Sequence, residues 1–346
     1  MIQIKCSPRA NERAAKSLGT GSVMQILVGD IGGTKTTLTL AEVAEQRVAL
    51  GDVHRYASRE HDNFESVVQR FLAETGATCT QAAFAVAGPV LDDRSQTTNL
   101  PWSPDARALE RALDLSRVRL LNDLEAIGWG LPALADEDLA TLYPGAAPST
   151  GNACIVAAGT GLGQAGLYWD GSRHHPFATE GGHGDFAPTD GREQALFEDL
   201  RQRFGHVSWE RVVSGPGIAN IHRSIAAQQG VPAWFSEETR HRDVAEVVAE
   251  AAAQGRCPQC IETMELFLRL YGREAGNMAL KQMALGGVYL GGGIAPKNLE
   301  ALRAGPFLEA FFDKGRLAPL MQRIPVRVIL SEKAPLYGAA RFMAAD

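Results

Sequence analysis

Val28-Gly29-Asp30-Ile31-Gly32-Gly33-Thr34-Lys35-Thr36-Thr37 is the stretch from which the fold is read. Gln25-Ile26-Leu27-Val28, leading into it, reads as a short strand, and Thr37 to Val43 reads as strand again. The unit is a strand, a tight glycine turn carrying an acid, a hydroxyl and a lysine, and a second strand. Glycine lets backbone N–H groups approach an anion closely, and Thr34 and Lys35 can help to hold it. Asp30 is misplaced as a phosphate contact and fits better as a carboxylate facing a metal ion that sits on the phosphates. A Walker P-loop is excluded, because Thr34 stands where its second glycine belongs and a strand follows where that motif requires a helix. A plain β-hairpin with a glycine turn is the bland alternative.

A second block repeats the first. Cys154 to Ala158 reads as strand, Ala158-Gly159-Thr160-Gly161-Leu162-Gly163 as a glycine turn, and Gln164 to Trp169 as strand, with Gly159 standing 130 positions after Gly29. The echo implies a duplicated domain, each half offering a glycine hairpin to one phosphate chain. Gly161, Gly163 and Gly166 also match a dinucleotide fingerprint formally, but strand-like Leu167-Tyr168-Trp169 follows where that fingerprint needs a helix. A nicotinamide-dependent dehydrogenase is disfavoured on that ground.

Around these blocks the chain alternates strands and helices. Arg47 to Tyr56 reads as a third strand of an antiparallel meander. Phe64, Val67, Val68, Phe71 and Leu72 mark an amphipathic helix capped by Asp62 or Asn63. Ala82 to Ala87 is a buried-type strand, and Ser103-Pro104 starts a helix by cap and first-turn proline. Val118 to Leu121 is a strand running into Asn122-Asp123-Leu124-Glu125-Ala126. Further helices cover Gln194 to Phe204, the residues after Ser214-Gly215-Pro216-Gly217, Asp243 to Ala253, and Ile261 to Gln282. Strands at Gly287–Leu290 and Val326–Leu330 precede a closing helix from Pro335. In sheets with such crossovers, ligands gather at the C-terminal ends of the strands.

Composition narrows the class. The 346 residues suffice for two domains, and 45% apolar with 21% charged residues is globular. A net charge of −6 with no long basic run argues against nucleic acid or an anionic membrane as partner. No apolar run approaches the roughly 20 residues that span a bilayer. Five scattered cysteines, Cys6, Cys79, Cys154, Cys257 and Cys260, make no disulfide framework and point to a reducing cytoplasm. Residues 1–23 set Lys5, Arg9, Arg13 and Lys16 against Glu12, and read as a disordered tail or as sequence ahead of a true start at Met24. Cys257-Pro258-Gln259-Cys260 has no second ligand pair for structural zinc and opens a helix, so it reads as two thiols without metal or redox work.

Taken in order, Gly-Asp-Ile-Gly-Gly-Thr (29–34), Leu-Asn-Asp-Leu-Glu-Ala (121–126), Gly-Thr-Gly-Leu-Gly (159–163), Glu-Gly-Gly-His (180–183), Glu-Arg-Val-Val-Ser-Gly-Pro-Gly (210–217) and Gly-Gly-Gly-Ile (291–294) resemble the ATP-dependent bacterial glucokinase family. The resemblance runs from Gln25 to the C-terminus. It implies an α/β, two-domain, ribonuclease-H-like fold of the hexokinase, actin and Hsp70 ATPase kind, with an interdomain cleft. The smaller N-terminal domain would cover 24–130 and the larger one 131–346, with the closing helix packing back on the smaller.

The resemblance further implies Mg2+ with ATP, and D-glucose as acceptor. Asp123 would be the general base toward the sugar 6-hydroxyl, and Asn122, Asp123, Glu180, His183 and Glu210 the sugar contacts. Gly29, Asp30, Ile31, Gly32, Gly33 and Thr34 with Gly159, Thr160 and Gly161 would hold the phosphates. Gly291, Gly292 and Gly293 would line the adenosine pocket, and Asp30 would face Mg2+ through water. The resemblance also allows a homodimer. Lys35-Thr36 departs from the family's usual small polar residue and matches the opening of the ROK group (repressors, open reading frames, kinases). That group carries a cysteine-rich zinc loop, whereas Gly184-Asp185-Phe186-Ala187-Pro188 follows His183 here.

Each residue has a plainer reading. Asn122-Asp123 can be a helix cap alone, His183 a loop histidine, Glu210 a solvent-facing acid, and Gly291 to Gly293 a turn before a helix. Two other functions stay open: a kinase of the same fold acting on mannose, fructose or an amino sugar, and a sugar-responsive regulator without catalysis. The regulator would want an N-terminal DNA-binding helical domain, for which residues 1–23 are too short.

Overall fold

The structure, a computed structural model, describes residues 23–45, 47–95, 102–146 and 150–345. Most of the tail, residues 1–22, lies outside the described residues. The chain forms two units, Met1–Ala135 with Ser331–Asp346, and Asp136–Leu330.

In the first unit the opening stretch makes β1 (Met24–Ile31) and β2 (Lys35–Ala44), antiparallel, with Asp30 opposite Thr37. The expected third strand is two strands, β3 (Arg47–Leu50) and β4 (His54–Ala57), both on β2. Leu50 pairs with Ala41 and His54 with Leu38, so Gly51, Asp52 and Val53 stand opposite only Thr39 and Leu40. That extra residue breaks the ladder as a bulge does. Helix α1 (Phe64–Thr75) is capped by Asn63, whose side chain accepts from the Ser66 N–H at 2.9 Å, and it ends at left-handed Gly76. Then come β5 (Gln81–Val86), α2 (Ala106–Leu113), β6 (Arg117–Asn122) and α3 (Asp123–Gly130).

The second helix starts later than Ser103-Pro104 suggests. Asp105 is its cap, accepting from Ala108 N–H at 3.0 Å. The reason is local: the Pro104 carbonyl accepts from Ser95 N–H and Asp105 bridges Arg94, which keeps both residues extended.

The second unit contains β7 (Leu139–Tyr143), β8 (Ala153–Ala158), β9 (Leu162–Trp169), β10 (His174–Thr179), α4 (Gly191–Phe204), α5 (Gly215–Gln229) and α6 (Val244–Ala253). It continues through α7 (Pro258–Gln282), β11 (Gly287–Gly291), α8 (Pro306–Phe312) and β12 (Val326–Ile329). The closing helix α9 (Ala334–Ala345) belongs to the first unit.

The sheets repeat one topology. The first runs β3-β2-β1-β5-β6 with β4 also on β2, and the second β10-β9-β8-β11-β12-β7. In each, an antiparallel glycine hairpin is followed by two parallel strands.

Both faces of the first sheet are buried. Leu27, Phe84 and Val86 point to α1 and α2, while Val28, Ala83 and Ala85 point to α3 and α9, which is the period-two alternation of a covered strand. In the second unit every residue of β8 is buried, and α7 is the long core helix behind it. Cys257 caps α7 by accepting from Cys260 N–H, and both thiols are buried and free. Among the described residues, no helix is long and apolar enough to cross a membrane.

Candidate active site

In the first unit the acidic residues sit at strand ends. Asp30 is in the penultimate position of β1, and Asn122-Asp123 is the junction of β6 and α3. Asn122 does cap the helix: its Oδ1 accepts from the N–H groups of Leu124 and Glu125, and its Nδ2 donates to the Gly88 carbonyl at 3.1 Å. Those bonds fix the junction from both sides, and Asp123 follows at the first helical position, its Oδ1 accepting from Leu124 N–H.

Enclosure raises the Asp30 carboxyl to about 7, with the nearby Asp123 charge adding to the shift and Lys35 opposing it. Two carboxylates thus share one electrostatic neighbourhood. Lys35 is drawn aside, its Nζ 3.0 Å from Glu332 of the loop before α9.

The remaining turn residues divide by role. Gly29 is a packing glycine, since a Cβ there would stand 2.5 Å from Leu38 Cδ2. The Ile31 side chain is in the core. Gly32 and Thr34 are tied to Ser58, whose hydroxyl donates to the Gly32 carbonyl and whose N–H donates to the Thr34 carbonyl. Gly33 lies between them in the turn.

In the second unit three loops brace one another. The turn between β8 and β9 is closed by a Gly159 N–H bond to the Gly161 carbonyl. Glu210 accepts from Leu162 N–H at 2.9 Å, and a Cβ on Gly161 would meet its Oε2 at 2.5 Å. Gly182 leans on the other side of Leu162, where a Cβ would be 1.9 Å from the Leu162 carbonyl oxygen. The 180–186 segment joins the chain leading to Glu210 through bonds from Phe186 N–H to Val207 O and from Trp209 N–H to Gly184 O. Gly215 N–H then donates to the Gly159 carbonyl at 2.8 Å. The expected residues Gly159, Thr160, Gly161, Glu180, His183 and Glu210 are therefore brought into one assembly. Glu180 and His183 are exposed on it, whereas Glu210 is partly buried, with its Oε2 bonded to the turn.

Beside this assembly lies a cavity of about 760 Å³. Gly159, Thr160 and Gly293 line it, joined by Gly215, Pro216 and Ile218 of α5, Glu246 and Glu250 of α6 with its cap Asp243, and Lys297. Gly291 ends β11 and Gly292 adopts φ 76°, pressed against Ala158, so of the three glycines only Gly293 faces the cavity. The N-terminus of α5 borders it, and the helix dipole favours an anion there. The α6 wall was missed from sequence. Its amphipathic pattern locates an apolar face but does not tell which cavity the polar face borders.

The family model described as Glucokinase matches residues 27–346. A glucokinase of Synechocystis sp. is 40% identical, over 92% of this chain and 97% of that protein. A crystal structure of glucokinase from an Antarctic psychrotroph superposes with a TM-score of 0.81 at 29% identity, over 93% of this chain and 99% of that one. Glucokinase from Balamuthia mandrillaris in complex with glucose has a TM-score of 0.74 at 21% identity, over 98% and 100%, which shows a shared fold.

Proposed function

The chain belongs to the glucokinase family, and on that premise we propose how its residues divide the ATP-dependent phosphorylation of glucose. Asp123 takes the proton of the D-glucose 6-hydroxyl as that oxygen bonds to the γ-phosphorus of ATP. The bond from the γ-phosphorus to the bridging oxygen breaks, and ADP leaves with glucose 6-phosphate as the other product. Asn122, Glu180, His183 and Glu210 hold the other sugar hydroxyls, since amide, imidazole and carboxylates together supply paired donors and acceptors. Such a polar set strongly rejects analogues that lack a matching hydroxyl. The turns at 29–34 and 159–161 hold the phosphates, and the cavity beside Gly293 takes the adenosine.

Asp30 fits Mg2+. It is a hard oxygen donor whose pKa is raised first by burial and then by the neighbouring Asp123 charge, and a divalent cation would favour its ionised form. Among the described residues no cluster of three or more acidic, histidine or cysteine ligands could hold a metal, which suits an ion carried on the nucleotide and met through water. When bound, Mg2+ neutralises phosphate charge.

The observation that carries the reading is the double brace on Leu162. Glu210 holds its N–H and Gly182 backs its carbonyl, so the phosphate turn and the Glu180–His183 loop form one rigid assembly. In this reading the chain stands outside the ROK group, because no cysteine follows His183 in 184–188. It works in the cytoplasm as a homodimer, which sedimentation velocity would check.

The test is ADP release with Mg-ATP, with and without glucose, for the wild type and Asp123→Asn. Glucose-dependent release that collapses in the variant, with calorimetric glucose binding retained, is the expected result. Equal rates in the two proteins would overturn the base assignment.

A further inference from the structure

Helix α7 carries Arg273 and Glu274 side by side in its middle, where an apolar core is the rule. Both are turned inward: Glu274 is fully buried and the Arg273 side chain is 11% exposed. Neither enters the division of work above.

Glu274 Oε1 accepts from Gln164 Nε2 at 2.6 Å, and its Oε2 accepts from Asn277 Nδ2 at 3.0 Å. Lys314 extends the chain, its Nζ donating to Asn277 Oδ1. Gln164 is 1% exposed and lies on β9. With its amide nitrogen committed to Glu274, its amide oxygen is turned to Gly181, where a Cβ would stand 2.2 Å away. Thr179 closes the same corner, donating to the Gln164 carbonyl and accepting from Gly181 N–H.

Arg273 bonds Glu193 of α4 at 2.5 Å, and Glu193 has no exposed surface. The same Glu193 oxygen accepts from the N–H and the hydroxyl of Thr189. Adjacent residues of one buried helix thus hold the two ends of a single loop, Gly181 through Gln164 and Thr189 through Glu193. Between those ends lies His183, and Glu180 immediately precedes them.

We propose that Gln164 and the Arg273-Glu274 pair are positioning residues that hold the 180–189 loop in its sugar-binding shape and thereby set the affinity for glucose. The proposal rests on the functional reading above and deepens it. Buried charges on this scale cost desolvation free energy, and a merely structural core would be as stable with apolar residues of the same volume. Their return is geometric, because a hydroxyl-reading site misplaced by about 1 Å loses on the order of a hundredfold.

The experiment compares wild type, Gln164→Met, Glu274→Met, Glu274→Gln and, as a control on the same helix, Thr263→Val. The control breaks the buried Thr263–His222 contact, far along α7 from Glu274. Glucose KM, ATP KM, kcat and the calorimetric Kd for glucose are read for each. Gln164→Met and Glu274→Met should raise glucose KM and Kd about tenfold, with kcat and ATP KM within about twofold. Glu274→Gln keeps the acceptor for Gln164 and loses only the bond from Asn277, so glucose KM should stay near wild type while the melting temperature falls. Thr263→Val should lower the melting temperature without moving glucose KM.

An unchanged glucose KM in folded Gln164→Met, or an equal rise in Thr263→Val, would overturn the proposal while leaving the function intact. A wild type that neither binds nor phosphorylates glucose would overturn the functional reading itself. Should Gln164→Met fold poorly, Gly181→Ala asks the same question. It presses on the Gln164 amide oxygen and should weaken glucose binding with kcat and ATP KM little changed, and an unchanged glucose Kd in the folded variant would overturn the proposal.

Discussion

In the proposed division of work, the helix cap Asn122 and the general base Asp123 share one junction. Asn122 makes the cap bonds that the local sequence suggested, and in doing so it fixes where the next carboxylate starts. Replacing Asp123 with Asn keeps the shape and removes the proton acceptor, so kcat should fall by about 10²–10⁴-fold, read by ADP release, with glucose Kd little changed. Asp30 offers a pH test. Its folded pKa of about 7 lies above the ordinary 3.8, so between those values the folded protein keeps a proton that the unfolded chain has lost. Stability therefore falls as pH rises from about 4 to about 7 and is level above that. Asp30→Asn should raise stability by about 1–3 kcal/mol at pH 8 and hardly at all at pH 4, measured by thermal melts without Mg2+ or nucleotide. The same substitution should slow phosphoryl transfer. Glu210 was legible as a candidate, but its bond to Leu162 N–H joins positions 48 apart in sequence, which no local pattern reveals.

At the scale of elements, the site is set by how closely helices and loops approach. Helices α3 and α9 touch backbone to backbone, and a Cβ on Gly338 would lie 1.6 Å from the Ala126 carbonyl oxygen. Gly338→Ala must push α3 away, and Asp123 moves with it. The expected result is a stability loss of about 2 kcal/mol by denaturant titration, together with a lower kcat. Glu210→Ala leaves Leu162 N–H without its partner and loosens both loops that lean on that residue. The KM values for ATP and glucose should therefore rise together, whereas Gln164→Met raises only the second. The glycine hairpins and most helices were legible because period and caps are local signals. The break between β3 and β4 was not, because a bulge depends on the register against β2. The start of α2 was misplaced for a similar reason: the strand contacts of Pro104 and Asp105 outweigh a good cap at Ser103.

At the scale of the molecule, one sheet topology is used twice, and each copy presents a glycine hairpin at the corresponding place. The echo between Gly29 and Gly159 made that duplication visible in sequence. What stayed hidden is the buried polar layer behind the second copy, where Gln164 and Glu274 stand 110 positions apart. Ligands that bind only the folded chain must stabilise it by mass action, so glucose at a hundred times its Kd should add about 2.7 kcal/mol to unfolding. The most direct test of the central claim is product analysis: Mg-ATP with glucose, mannose, fructose, galactose or glucosamine, followed by phosphorus NMR of the sugar formed. Glucose 6-phosphate is the expected main product, at the highest kcat/KM of the five sugars. Phosphorylation of none of them, by a protein that still binds glucose, would contradict that claim.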